Sequence, residues 1–457
     1  MKALRHIAVI DIGKTNAKLA LVDLPNLTEV AVLTRPNTVQ TDGPWPHFDV
    51  EGHWAFLLDA LNRFHKEHRI DAISVTTHGA CAALLTGDGQ LAAPILDYEH
   101  MYSAETVADY AVLKPDFPET GSPTLAGGLN VGAQLHWMFA QDPSLRERTA
   151  QIVTYPQYWG HRLTGTTATD VTSLGCHTDL WVPRAARFSD LPAQLGIADK
   201  IAPVRKPTDI LGTIRPEISG QTGLPLDTQV SVGIHDSNAS LYPHLLTQEG
   251  AFSVVSTGTW VVTMSVGGKD VALDPQRDTL MNVDARGDPV PSARFMGGRE
   301  YELAQRGHET LPSGEDVMRV LDAGIRLLPA VEPQTGPFAG QNMRWTPTEP
   351  EVGSGARSAA VSFYLALMTD TCLRLTGARG PTIVEGPFAR NAEFVAMLAA
   401  TTGRDVLTSE AATGTSIGAA LLFEREAKLA KPVPARSAYD PAKLQRYAAL
   451  WRSEATG

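Results

Sequence analysis

Residues 1–23, MKALRHIAVIDIGKTNAKLALVD, decide the fold class. Ile7, Val9 and Ile12 alternate ahead of Gly13-Lys14-Thr15-Asn16, and Leu19, Leu21 and Val22 follow it. Alternation on both sides of such a turn reads as a β-hairpin, with Gly13 and Asn16 as the turn residues. Gly13-Lys14-Thr15 is not the end of a P-loop. The glycine required five residues earlier is Ala8, and the chain runs into a second strand instead of a helix. Further on, residues 52–68 place Trp54, Leu57, Leu58, Leu61 and Phe64 on one helical face. Ile70 to Thr76 is strand-like and ends at Thr77-His78-Gly79. Strand, helix and strand in this order indicate an α/β domain.

The opening pattern recurs about 240 residues later, which points to an internal duplication. Ala251 to Ser256 is strand-like, Thr257-Gly258-Thr259 is a turn, and Trp260 to Val266 is strand-like again. A helix is expected over 358–375, a strand over 381–385, a helix over 391–401, a strand over 404–408 and a helix over about 413–429. The stretch 102–225 is richer in loops and aromatics, with helices expected around 131–140 and 156–163. The boundary is expected near 245, giving domains 1–245 and 246–457. The tail 431–457, with Pro432, Pro434 and Pro441, reads as an irregular peripheral segment.

The 457 residues fit two or three domains of roughly 150 residues. A net charge of −11 argues against a protein that coats DNA or RNA, though local N–H groups can still bind a small anion. No apolar run reaches the length of about 18 residues that a membrane helix needs. Asp11 interrupts the first apolar run, so no signal peptide is expected. Cys81, Cys176 and Cys372 are far apart, which suits a reduced, cytoplasmic protein and fits no CxxC metal site.

Several residues are candidates for chemistry. Asp11 closes an apolar strand, where a carboxylate needs a partner such as a metal ion or a water network. Thr15 and the N–H groups of Gly13 to Asn16 could meet phosphate oxygens, or could simply form a hairpin turn. Gly258 and Thr259 in the second turn make a matching pair. Asp236 follows a strand at Gln229 to Val232 and opens a helix. It is either a general base at a strand's C-terminal end or a helix cap. His235 beside it would orient a substrate hydroxyl or be structural. His65-Lys66-Glu67-His68 lies at the polar end of a helix and is a weak metal candidate. There is no GxGxxG, GxSxG or HExxH.

These motifs, taken in order, resemble the FGGY carbohydrate kinases of the sugar kinase, actin and Hsp70 superfamily, nearest the rhamnulokinase and fuculokinase-like branch. Residues 10–16 (IDIGKTN) resemble the first phosphate motif and 257–260 (TGTW) the second. Residues 155–165 (YPQYWGHRLTG) resemble the segment ending in the family's LTG signature, with Asp170 following. The run 383–421, through IVEGPFARN and EAATGTSIGAAL, resembles the adenosine motif and the closing helix. The resemblance implies two ribonuclease-H-like (actin-like ATPase) α/β domains flanking a cleft. The first would bind the sugar and carry the catalytic Asp236, and the second would bind the nucleotide. ATP and Mg²⁺ are then the expected cofactors, with Asp11 organising the metal.

The same resemblance implies that Gly13, Lys14, Thr15, Asn16, Gly258, Thr259, Gly298, Gly386 and Asn391 serve the nucleotide. Gly297-Gly298 could equally be a plain helix start. Sugar contacts would come from His78, Gly79, Tyr98, Glu99, Gln157, His235 and Asp236. The adenosine motif departs from the pattern at Pro387, which removes an N–H and so implies a locally different adenine pocket. The His235-Asp236 pair is similar to rhamnulokinases, whereas Lys14-Thr15-Asn16 is not. The expected substrate is a ketose such as L-rhamnulose or L-fuculose. The expected partners are a small sugar, no nucleic acid and no membrane, with homodimerisation left open. A non-kinase member, an ATPase activator or a sugar-sensing regulator, is the alternative. The chain has neither the cysteine cluster nor the helix-turn-helix such proteins carry.

Overall fold

The hairpin of the opening residues forms β1 (His6–Ile12) and β2 (Asn16–Asp23), paired antiparallel from His6↔Asp23 to Ile12↔Ala17. Every residue of β1 after His6 is buried, because the strand lies mid-sheet under layers on both faces. A computed structural model describes residues 4–409, 414–424, 429, 432–435 and 438–455. The chain divides into two units. The first comprises Met1–Thr247, Met281–Pro289 and Thr413–Leu429, and the second Gln248–Leu280, Val290–Ala412 and Ala430–Gly457.

In the first unit, β2 pairs antiparallel with β3 (Thr28–Pro36). After α1 (Val50–His68) the chain adds β4 (Ala72–Thr77) parallel to β1. Asp49 caps α1, accepting from the Gly52 N–H at 2.9 Å, and the helix buries Leu57, Leu61 and Phe64 against the sheet. α2 (Tyr155–Thr164) adds Tyr155, Tyr158, Trp159 and Leu163 to the same core. β5 (Ile210–Thr213) and β6 (Gln229–Ser231) complete the order β5-β6-β4-β1-β2-β3. β7 (Ile234–His235) resumes the pairing with β4 opposite Thr76 and Thr77. Between β6 and β7 the chain kinks at Gly233, where φ is +94° and a Cβ would meet Val75 O at 2.8 Å. Only glycine fits there, and the kink delivers His235 and Asp236 to the start of α3 (Asp236–Thr247). The loop-rich stretch 102–225 has its own small core, including Val131, Leu135, Met138, Phe139 and Leu180.

The second unit repeats the plan. β8 (Phe252–Thr257) and β9 (Val261–Val266) form an antiparallel hairpin; β10 (Thr279–Val283), whose residues Met281–Val283 fall in the first unit, and β11 (Pro289–Phe295) extend the sheet. α4 (Gly297–Gln305) and α5 (Gly355–Leu375) precede β12 (Thr382–Glu385), which runs parallel to β8. α6 (Ala392–Thr402), β13 (Val406–Thr408) and β14 (Val433–Pro434) follow, giving β10-β11-β9-β8-β12-β13-β14. In both sheets the first strand has its antiparallel hairpin partner on one side and a parallel strand on the other.

Two expectations differ. The tail is not irregular. α7 (Pro441–Ala455) buries Leu444, Tyr447, Ala448, Trp451 and Ala455 at helical spacing. Its prolines precede the helix or open it, where no N–H is needed. The helix expected over 413–429 is Thr415–Ala420 followed by a 3₁₀ turn, Leu421–Phe423, and these residues belong to the first unit. Residues 413 and 425–428 of that expectation lie outside the described residues.

Candidate active site

The sugar-side candidates of the first unit gather at the C-terminal ends of β1, β4 and β7. Asp11 ends β1 directly opposite Lys18. Its Oδ2 meets Lys18 Nζ at 3.1 Å and accepts from the Thr415 hydroxyl at 2.7 Å. The partner that burial demanded is therefore a cation and a hydroxyl. Two residues on from β4's end, Gly79 leaves room for the His235 ring, since a Cβ would lie 2.9 Å from its Nε2. Asp236 Oδ1 faces His235 Nε2 at 3.2 Å and accepts from the Ser237 N–H and hydroxyl. All these contacts fall on Oδ1 and none of them on Oδ2. Burial, with Asp11 nearby, pushes the Asp236 carboxyl up to about 6. Burial lowers His235 to about 4, so its ring is neutral. Nδ1 accepts from the Asn238 amide at 3.4 Å, and Nε2 then carries the proton toward Asp236.

His78 has the opposite polarity. Its Nδ1 donates to Gly79 O at 2.8 Å, and burial lowers the group to about 4. Its buried Nε2 is a lone-pair acceptor with no partner among the described residues. Phe48, Tyr98 and Tyr155 surround the ring at 5.2, 5.1 and 5.0 Å between centroids. Such a buried acceptor calls for a donor such as a sugar hydroxyl. Lys14 reaches this aromatic box. Its Nζ pairs with Asp97 and, at 3.1 Å, with Glu99, and stands over Tyr98 at 4.8 Å.

The nucleotide candidates of the second unit converge on one cavity of about 710 Å³. Gly258, Thr259, Gly298 and Asn391 line it together with Tyr301, Ser358, Ser362, Pro387 and Arg390. The volume is that of a small-molecule site. A Cβ on Gly298 would lie 2.3 Å from Gly258 O, so glycine is what lets α4 start against the turn. Gly386 has φ +81° and abuts Thr257 O. Pro387 opens a 3₁₀ turn, Pro387–Arg390, at a position that needs no N–H, and Phe388 N donates to the Thr257 hydroxyl at 3.1 Å.

Some assignments shift. Gln157 is fully buried and its amide is engaged: it accepts from Thr154 and donates to Val232 O at 3.0 Å. It braces the kink before His235 and offers the sugar nothing. Lys14 points to the aromatic box, toward Asp97 and Glu99. The Gly13 N–H closes its turn on Asn16 O at 2.9 Å, as the Gly258 N–H does on Trp260 O at 2.9 Å, so neither is free for phosphate. Asn16 is the exposed start of β2, and Thr15 is exposed beside it. Asn391 caps α6, accepting from Phe394 N at 2.8 Å.

Sequence reasoning missed Lys18, although positions 11 and 18 are equidistant from the turn and cross-strand charge pairing could have revealed it. It also missed Asn37, whose side chain donates to Gly13 O at 2.8 Å, and Thr415. It noticed Asp170 but not its use. The Asp170 carboxylate takes the Thr172 hydroxyl, which in turn accepts the His235 N–H at 3.0 Å. No group of three metal-binding side chains occurs among the described residues, and His65 instead accepts from the Ile70 N–H at 3.1 Å. A single carboxylate such as Asp11 does suit Mg²⁺, which keeps several waters and binds through nucleotide phosphates. No helix among the described residues is long and apolar enough to cross a membrane.

Residues 6–242 match the N-terminal domain of the FGGY family of carbohydrate kinases, and residues 249–432 match the carbohydrate kinase FGGY C-terminal domain. A carbohydrate kinase from Novosphingobium aromaticivorans is 34% identical, with a TM-score of 0.92 over 99% of each chain. Ligand-bound xylulose kinase from Lactobacillus acidophilus is 16% identical and shares the fold, with a TM-score of 0.77 over 99% of this chain and 98% of its own. L-fuculokinase from Salmonella typhi is 24% identical over 272 residues, 58% of this chain and 57% of that protein. The chain thus spans little more than half the length of the curated relatives it matches. With both halves matched and a 34% identical kinase sharing the fold end to end, the chain belongs to the FGGY family of carbohydrate kinases.

Proposed function

We propose that the protein is an ATP-dependent sugar kinase that phosphorylates a terminal hydroxyl of a ketose such as L-fuculose or L-rhamnulose. The observation that carries this is Asp236: a carboxylate raised to about 6, fixed through one oxygen by His235 and next to the unpartnered acceptor of His78. A pKa near working pH suits a general base. The match to L-fuculokinase supports a 6-deoxy-ketohexose as substrate.

In this reading the first unit holds the acceptor and the second holds ATP in the 710 Å³ cavity. His78 Nε2 accepts from one sugar hydroxyl and orients the chain of hydroxyls. Asp236 Oδ2 accepts the proton of the attacking hydroxyl as its oxygen bonds to the γ-phosphorus and the bond to ADP breaks. The neutral His235 keeps Oδ1 occupied and does not take the proton. Asp11 would hold Mg²⁺, which would supply charge neutralisation for the phosphates.

The test is Asp236→Asn in a coupled ADP-release assay over ketoses, pentitols and aldoses with ATP and Mg²⁺. Turnover should fall by at least about 100-fold, the range for loss of a general base, while ATP affinity stays unchanged. Near-normal turnover by the variant removes Asp236 as the base. No ADP release by the wild type on the whole panel favours the non-kinase reading.

A further inference from the structure

We propose that Lys14 is a specificity-determining contact of the sugar site, and that its pairing with Asp97 and Glu99 makes the site select neutral polyhydroxy substrates over sugar acids. This rests on the kinase reading above and names the residues that would set its preference for a neutral substrate.

Lys14 sits in a turn that the family resemblance assigns to the nucleotide, yet its side chain pairs with Asp97 and Glu99 instead. The ammonium lies over Tyr98 at 4.8 Å and Phe48 at 5.3 Å, the same two rings that enclose His78. Asp97 and Glu99 take two of its three N–H donors. Asp97 is itself pinned, because the Glu99 N–H donates to its Oδ1 at 3.2 Å. The lysine is thus over-neutralised: one cation stands against two carboxylates. Adding Asp236, ionised above about 6, and the neutral rings of His78 and His235 leaves the group net negative.

This arrangement has a definite ligand preference. A free lysine would attract a carboxylate or phosphate as a point charge. A lysine already held by two carboxylates offers one remaining N–H donor, flanked by carboxylate acceptors. Glu99, whose side chain is 64% exposed, can accept from a hydroxyl, and so can His78 Nε2. Hydroxyls, which both donate and accept, satisfy such a set. A carboxylate seated at His78 Nε2 would leave it unpaired, because it only accepts, and anywhere in this group it meets like charge from Asp97, Glu99 and Asp236. The ring faces of Phe48 and Tyr98 supply the apolar surface on which sugar C–H groups can lie.

Two experiments test this. First, wild-type kcat/KM is measured for matched pairs of a neutral sugar or polyol and the aldonate of the same chain length. The neutral member should win by at least about 10-fold, and Glu99→Gln should narrow that gap. Second, Lys14→Met is titrated with sugar and with ATP. The sugar KM should rise about 10- to 100-fold, the cost of losing a charged donor, with ATP affinity within about twofold. Lys14→Arg should recover part of the sugar affinity and guards against a folding defect in the methionine variant. A rise in ATP KM with unchanged sugar KM returns Lys14 to the phosphates and overturns the proposal. Preference of the wild type for the aldonate also overturns it, while leaving the kinase reading in place. A wild type that phosphorylates neither class overturns both.

Discussion

At the residue scale, the site depends on two histidines of opposite polarity around one carboxylate. His78 presents a bare lone pair because Gly79 O fixes its proton on Nδ1, and His235 presents an N–H because Asn238 occupies its Nδ1. Neither ring titrates near neutrality, since burial holds both near 4. The pH dependence should therefore belong to Asp236. Turnover at low sugar should rise with unit slope up to pH about 6 and then level, as the base loses its proton. A plateau that persists well below pH 5 would contradict this. The same shift has a stability consequence. Burial raises the folded pKa above the unfolded one, so stability present below about pH 4 is lost as pH rises through about 6. Asp236→Asn avoids that loss. At pH 7.5 it should melt slightly higher than wild type, by on the order of 1 kcal/mol after solvent screening, which a thermal melt can read. A variant that is less active yet more stable is the signature of a functional carboxylate and not of a helix cap.

At the element scale, the cavity proposed for the nucleotide is shaped by where α4 begins. Gly298 touches the β8–β9 turn so closely that one methyl group must push the helix off Gly258 O. Gly258 itself has room, with the nearest atom to an added Cβ at 3.9 Å. Gly298→Ala should thus weaken ATP binding about 10-fold, the effect of a 1–3 kcal/mol overpacking. Gly258→Ala should change it little, whereas a bulky residue at 258 should occupy the cavity and weaken binding. Titration calorimetry with ATP distinguishes these outcomes, and equal affinities for Gly298→Ala and wild type would detach α4 from the site. Of these elements, the two hairpins were legible because alternation about a short turn is a local pattern. The role of Gly298 was not, since a glycine pair before a helix reads equally well as an ordinary start.

At the scale of the whole molecule, each unit has its own core. The second unit's core includes α7, where Trp451 is 1% exposed and donates to Leu327 O at 2.7 Å. Trp451→Ala should cost about 3–5 kcal/mol, and hydrogen exchange should show lost protection in α5, α6 and β12. Equal loss in α1 and β4 of the first unit would show that the two cores unfold together. The net charge of −11 argued against a nucleic-acid coat but said nothing of where a phosphate could be held. What the sequence determined by itself was the repeated hairpin, the helical faces and the order of the motifs, because each depends on residues close in the chain. What the tertiary structure alone decided was the direction of side chains. Lys14 turns toward Asp97 and Glu99, Gln157 turns inward to brace Val232, and Thr415 reaches Asp11 across the sequence. Such partners are set by which strand ends share a sheet edge, and no local periodicity encodes that.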